Sequence, residues 1–170
     1  MATYKCFEEL PVWKSAKDLA LAIYKATNAP LFNKDFVLVR QTRASALSVS
    51  SNIAEGFERG TSAELLQFLY VARGSCGELR SQLAIAAEIG YLNGSEFQDL
   101  RAKCVETSNQ IGGFISYLKH SKLKGHKYAG TISEVGGLYI PDDFSLIDAS
   151  NSESGIRNSE LDIPIPEMTK

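Results

Sequence analysis

Ser51-Asn52-Ile53-Ala54-Glu55-Gly56-Phe57-Glu58-Arg59-Gly60 closes one apolar repeat, and Thr61-Ser62-Ala63-Glu64-Leu65-Leu66-Gln67-Phe68-Leu69-Tyr70-Val71-Ala72-Arg73-Gly74-Ser75-Cys76-Gly77-Glu78-Leu79 opens the next. Gly60 is a helix stop, because glycine tolerates the left-handed conformation that ends a helix. Thr61 and Glu64 form a capping-box pair, in which each side chain satisfies an amide the other end of the turn leaves free. Leu65, Leu69, Ala72, Cys76, Leu79, Leu83 and Ala86 then recur at steps of four and three, an apolar seam held until Gly90. Tyr91 and Leu92 stand where they can pack back on that helix.

Upstream, Val39, Thr42, Ala46, Val49 and Ile53 give a second seam, with Asn33 or Asp35 as its cap. The stretch Ala44-Ser45-Ala46-Leu47-Ser48-Val49-Ser50-Ser51 is made of small residues, which predicts a close approach of helix axes. A first helix starts at Pro11, a residue suited to the first helical position. Its face is Val12, Ala16, Leu19 and Ile23, flanked by Trp13, Ala20 and Tyr24, and it ends before Pro30. Downstream, Ser95-Glu96-Phe97-Gln98 reads as a second capping box. Phe97, Leu100, Cys104, Thr107, Ile111, Phe114 and Leu118 carry the fourth seam. No strand is expected within residues 1–122.

The fold class that follows is all-α: an antiparallel, up-down-up-down four-helix bundle with an irregular C-terminal extension. The bundle is assigned to residues 1–122, with helices at about 11–27, 34–59, 62–89 and 95–121. Residues 123–170 form a tail containing Gly and Pro, expected to be partly disordered, with Thr131-Ile132 and Gly137-Leu138-Tyr139-Ile140 as short extended pieces.

Composition narrows the function classes. The chain has 170 residues, 44% of them hydrophobic, and a formal net charge of -2. That is one ordinary domain plus an extension, and not a protein that binds nucleic acid merely by being basic. Charge is uneven: residues 1–122 hold 14 Lys and Arg against 12 Asp and Glu, and residues 123–170 hold 4 against 8. Three cysteines without paired short spacing point to a reducing cytoplasm. The first residues lack the apolar core of a signal peptide, and no run reaches the roughly 18 apolar residues of a membrane span.

The opening string, together with Phe7-Glu8-Glu9-Leu10-Pro11-Val12-Trp13 and Glu88-Ile89-Gly90-Tyr91-Leu92, resembles the ribosomal-RNA intervening-sequence protein family, the "four helix bundle" proteins. The likeness runs to about Lys122 and leaves out the tail. It implies a homo-oligomer, a ring of five bundles forming a barrel. Accessory proteins of diversity-generating retroelements, which dock a reverse transcriptase, are understood to be similar. The apolar residues Ala44, Leu47, Leu66, Tyr70 and Val71, outside the principal seams, are consistent with a partner surface.

Residues able to do chemistry are few. His120 and His126 lie late in the chain, with no Glu-x-x-His pair on the helices to hold a di-metal site. Cys76 and Cys104 sit on apolar seams, where a thiol is a small hydrophobe. Ser45, Ser48, Ser50 and Ser51 have no histidine nearby in sequence for Ser-His catalysis. No catalytic residue, metal ligand or cofactor is assigned.

Asn52, Glu55 and Gly56 are a junction or interface group: they either hold the second helix to the third or line a subunit contact. Phe7 and Trp13 are either packing anchors or base-stacking aromatics. Arg40, Arg43, Arg59, Arg73 and Arg80 are candidates for nucleic-acid or partner binding, Arg73 and Arg80 sharing a face at seven apart. Their alternative is a face neutralised by Glu58, Glu78 and Glu88.

The expected function is a non-enzymatic, cytoplasmic, oligomeric bundle that binds structured RNA or DNA, or a nucleic-acid-processing partner, through basic helix faces. Docking of a reverse transcriptase is a second reading. A scaffold presenting its acidic tail to a protein partner is a third.

Overall fold

The computed structural model of the chain describes residues 2–123 and 138–140. Among them the order is β1 (Ala2–Tyr4), α1 (Pro11–Ala26), α2 (Phe36–Glu58), α3 (Ser62–Glu88), α4 (Gly94–Leu123) and β2 (Leu138–Ile140), with short 3-10 turns at Phe7–Glu9 and Phe32–Lys34. Each helix packs on the next and α4 returns to α1, which closes an all-α, four-helix bundle. Contacts across the helices run in opposite senses along the chain: Ser45 meets Gln82 while Gly56 meets Phe68, so neighbours are antiparallel.

The helix ends show why these residues fold here. Pro11 occupies the first position of α1. Asp35 caps α2, its Oδ1 accepting from Leu38 N at 2.9 Å, so the helix starts at Phe36 and Asn33 stays in the preceding 3-10 turn. Thr61 Oγ1 accepts from Glu64 N at 3.2 Å and donates to Glu64 Oε2 at 2.9 Å. Gly60 and Gly90 both have positive φ, 75° and 81°, and the Tyr91 amide reaches back to Ala86 O at 2.8 Å.

Two expectations are corrected. The capping box of α4 is Asn93 and Glu96, each accepting from the other's amide at 3.0 and 2.9 Å, and not Ser95 and Gln98. Asn is a strong N-cap, and placing it at 93 starts α4 one residue before Ser95. A strand does form inside residues 1–122: Ala2–Tyr4 pairs antiparallel with Leu138–Ile140, Thr3 opposite Tyr139. Three residues are too few to show a period, and the partner lies more than a hundred residues away. Thr131-Ile132 lies outside the described residues.

The four seams are buried along their length, Phe97 at the head of the fourth excepted. Phe32, Ile53, Leu65, Leu69, Leu79, Leu83, Ile111 and Phe114 are fully enclosed, each worth about 1.5–3 kcal/mol of transfer free energy. Phe97 is only partly covered, and Tyr24 is exposed along one edge. At the α1–α2 end, Phe32 stacks on Tyr91 with centroids 5.3 Å apart, and the Tyr91 hydroxyl bonds Asp35 at 3.4 Å. At the opposite end, Phe7 packs edge-on against Trp13 at 5.1 Å, so both aromatics are anchored in the fold.

The α2–α3 contact is the most extensive of the interhelical contacts and is built on hydroxyls as well as methyls. Ser48 and Ser75 hydroxyls meet at 2.8 Å, Gln82 Nε2 donates to Ser45 Oγ at 3.0 Å, and Ser45 Oγ donates to Glu78 Oε2 at 3.3 Å. Small side chains permit this approach, and the bonds satisfy groups that Ser45 and Ser75 would otherwise bury without partners. Gly56 is the tightest point: a Cβ there would lie 2.7 Å from Phe68 Cβ and 3.2 Å from Leu65 Cα.

Candidate nucleic-acid interface

The structure separates the five arginines into four groups. Arg43 is half-buried and belongs to the fold: Nε donates to Thr27 Oγ1 at 2.7 Å, Nη2 donates to Asn28 Oδ1 at 2.9 Å, and the guanidinium lies 4.8 Å over the Tyr24 ring. It ties the end of α1 to the flank of α2. Arg59 pairs with Glu55 one turn back at 2.7 Å and covers the Phe68 ring. Arg40 is exposed on the outer face of α2.

Arg73 and Arg80 form the fourth group, on the side of α3 that faces α4. The Arg73 guanidinium sits beside Gly112 of α4, and a Cβ on that glycine would be 3.6 Å away in ordinary contact. Arg80 lies near enough to Cys76 and Cys104 to act on both thiols electrostatically. Lys119 of α4 stands 5.2 Å over the Tyr70 ring of α3, continuing the same edge. Arg101 shares the helical face of Gly112 and Lys119, since residues 101, 105, 108, 112 and 119 recur at helical spacing. The result is a strip of four cations along the α3–α4 edge. Arg101 and Lys119 were not singled out in the sequence, where neither stands near Arg73 or Arg80. Only the antiparallel pairing of α3 with α4 brings them together.

Two carboxylates of α3 are engaged away from this strip. Glu78 is turned toward α2, where Ser45 donates to it, and Glu64 is held by Thr61. Among the described residues, the ion pairs are Arg59 with Glu55 and Lys17 with Asp18, so Arg73, Arg80 and Arg101 are unpaired there.

The junction group also divides. Gly56 is buried in the α2–α3 contact. Asn52 donates to Ser48 O at 2.7 Å and lies 3.0 Å from Ser48 Oγ, joining the hydroxyl seam. Glu55 is exposed and bonded to Arg59.

Cys76 and Cys104 are buried together, Cys104 Sγ donating to Cys76 O at 3.2 Å. Hydrogen bonding to Cys104 and burial push the Cys76 thiol well above its ordinary range. The same hydrogen bond moves the Cys104 thiol the opposite way, downward, while its own burial works against that shift. No cluster of three or more His, Cys, Asp and Glu gathers among the described residues. The His120 side chain and His126 lie outside them. No described helix is long and apolar enough to cross a membrane.

Comparison with known proteins bears on the bundle. A crystal structure of a protein of unknown function from the S23 ribosomal protein family of Bacteroides thetaiotaomicron VPI-5482 is similar at a TM-score of 0.55 and 22% identity. The match covers 64% of this chain and 98% of that one. At that identity the likeness concerns the fold. No curated protein matches. The family model described as 23S rRNA-intervening sequence protein matches residues 8–113, a span that begins before α1 and ends within α4. On that match the chain belongs to the 23S rRNA-intervening sequence protein family.

Proposed function

We propose that the chain is a non-enzymatic, oligomeric bundle that binds nucleic acid along the α3–α4 edge. The observation behind this reading is the run of Arg73, Arg80, Arg101 and Lys119 on one edge, with the neighbouring carboxylates turned elsewhere. Arg73 and Arg80 are about 10 Å apart along α3, from seven residues at 1.5 Å rise. Cations in such a row contact successive phosphates and give affinity without base reading. The family's name refers to rRNA, and RNA is the ligand we favour.

Oligomerisation would multiply the strip, and the outer face of α3 is suited to it. Tyr70, Val71 and Ile85 are 44, 49 and 50% exposed, and between them Gly74 has nothing within 4 Å of a Cβ. A glycine inside a helix costs about 1 kcal/mol against alanine. Among the described residues no contact calls for a glycine there, and close approach of a second copy would. Ring assembly places the α3–α4 edges of several subunits around one axis.

The experiment is RNA retention by the double variant Arg73→Glu/Arg80→Glu beside the wild type. Both side chains are exposed, so the native mass and helical signal should not change. Retention is expected to fall more than tenfold, and the slope of log affinity against log salt to become shallower by about 2. Retention that is unchanged and insensitive to salt would refute the proposal.

A further inference from the structure

Cys76 stands at the middle of α3 and Cys104 in the first half of α4, and neither has any surface open to solvent. Cys104 Sγ donates to Cys76 O at 3.2 Å, and the two thiols also hydrogen-bond to each other. Both cysteines are free. A disulfide requires the sulfurs to close from that contact to about 2.05 Å, by side-chain rotation and a small shift of one helix flank.

The two thiols are unequal. The hydrogen bond from Cys76 moves the Cys104 thiol downward, against its burial, and the Arg80 charge adds to the lowering. The same hydrogen bond and burial push Cys76 up. Cys104 is therefore the sulfur that supplies thiolate, and Cys76 the proton donor beside it. What reaches them must be small. A bulky disulfide cannot enter an enclosed helix contact, whereas hydrogen peroxide is little larger than water. Gly77 follows Cys76 without a side chain, and among the described residues a Cβ added there would meet nothing within 4 Å, so the cover beside the pair is thin.

We propose that Cys76 and Cys104 are a dithiol that hydrogen peroxide converts to an interhelical disulfide, reversibly tying α3 to α4. The Cys104 thiolate attacks one peroxide oxygen, the O–O bond breaks, and the hydroxide that leaves takes up the proton Cys104 lost. Cys104 is then a sulfenic acid. The Cys76 sulfur attacks the Cys104 sulfur, the S–O bond breaks, and the departing hydroxide takes the Cys76 proton. In sum, two thiols lose two electrons and one peroxide becomes two waters. The bond joins residues 28 apart in the chain. It sets the offset of Arg73 and Arg80, one turn to either side of Cys76, against Arg101, one turn before Cys104. The chemistry does not depend on what those arginines bind.

The test uses the full chain carrying Cys6→Ser, so that no third thiol competes. The reduced, folded protein is exposed to hydrogen peroxide, quenched with catalase, unfolded in urea with a maleimide, and weighed. The expected product is lighter by two hydrogens, takes up no maleimide, and yields a linked peptide pair containing Cys76 and Cys104. Dithiothreitol should return it to the starting mass. Before reduction its urea midpoint should be higher by about 1–2 M, because the cross-link constrains the unfolded chain. With Cys76→Ser added, the sulfenic acid has no resolving thiol, so Cys104 is expected to gain oxygen and mass instead. Two free thiols that survive peroxide in the folded protein would overturn the proposal. Oxygen uptake by both cysteines without loss of hydrogen, or linkage between chains alone, would overturn it as well.

Discussion

Replacing Gly56 by alanine is expected to lower stability by about 2 kcal/mol, although alanine is the better helix former. A methyl at this position would stand 2.7 Å from Phe68 Cβ and 3.2 Å from Leu65 Cα. Neither neighbour is the loose end of a flexible side chain, so α2 and α3 must part at their shared end. Overpacking of this kind costs about 3 kcal/mol at the upper end of its usual range, and the propensity gain returns about 1. Gly74→Ala provides the comparison within one protein. Nothing lies within 4 Å of its Cβ, so it should stabilise an isolated protomer by about 0.5–1 kcal/mol. Urea denaturation of both variants measures the contrast. A Gly56→Ala variant as stable as wild type would mean that the α2–α3 contact yields more easily than its geometry allows.

The second large effect is expected from Arg43→Glu. The guanidinium holds Thr27 and Asn28 at the end of α1 and covers Tyr24, so it joins two helices through three contacts. Hydrogen bonds from a charged donor are worth about 1.5–3 kcal/mol when one partner is removed. The ring contact adds about 0.5–1. Since Arg43 is partly exposed, a loss of about 2–3 kcal/mol is expected, read as a lower denaturation midpoint at unchanged slope. Arg73→Glu/Arg80→Glu should show no such loss. The two variants thus separate an arginine that holds the bundle from arginines available to a ligand, a distinction that spacing in the sequence does not make.

The bundle was legible because its information is local. Every seam repeats at helical spacing over several turns. The caps at Asp35 and Thr61 and the stops at Gly60 and Gly90 fall within a few residues of the turns they govern. The second capping box was misplaced because Ser95-x-x-Gln98 and Asn93-x-x-Glu96 overlap, and pattern alone does not rank them. The β1–β2 pair was missed because its pairing is long-range. Site residues were harder for the same reason. Arg43 looks like any surface arginine until the α1–α2 turn brings Thr27 and Asn28 to it. Arg101 and Lys119 acquire meaning only beside Arg73 and Arg80 across an interhelical edge.

The hydroxyl seam between α2 and α3 has a consequence for how this chain can vary. Two helices joined only by leucines can slide past one another by a turn at small cost, because one methyl replaces another. Here a slip of one turn, about 5.4 Å, would separate Ser48 from Ser75 and Ser45 from Gln82, stranding polar groups in a closed space. The seam acts as a vernier, fixing the axial offset of the two helices from within. The offset is then stored in side chains rather than in the length of the turn at Gly60 and Thr61. Extra residues inserted in that turn should leave the alignment of the pair intact.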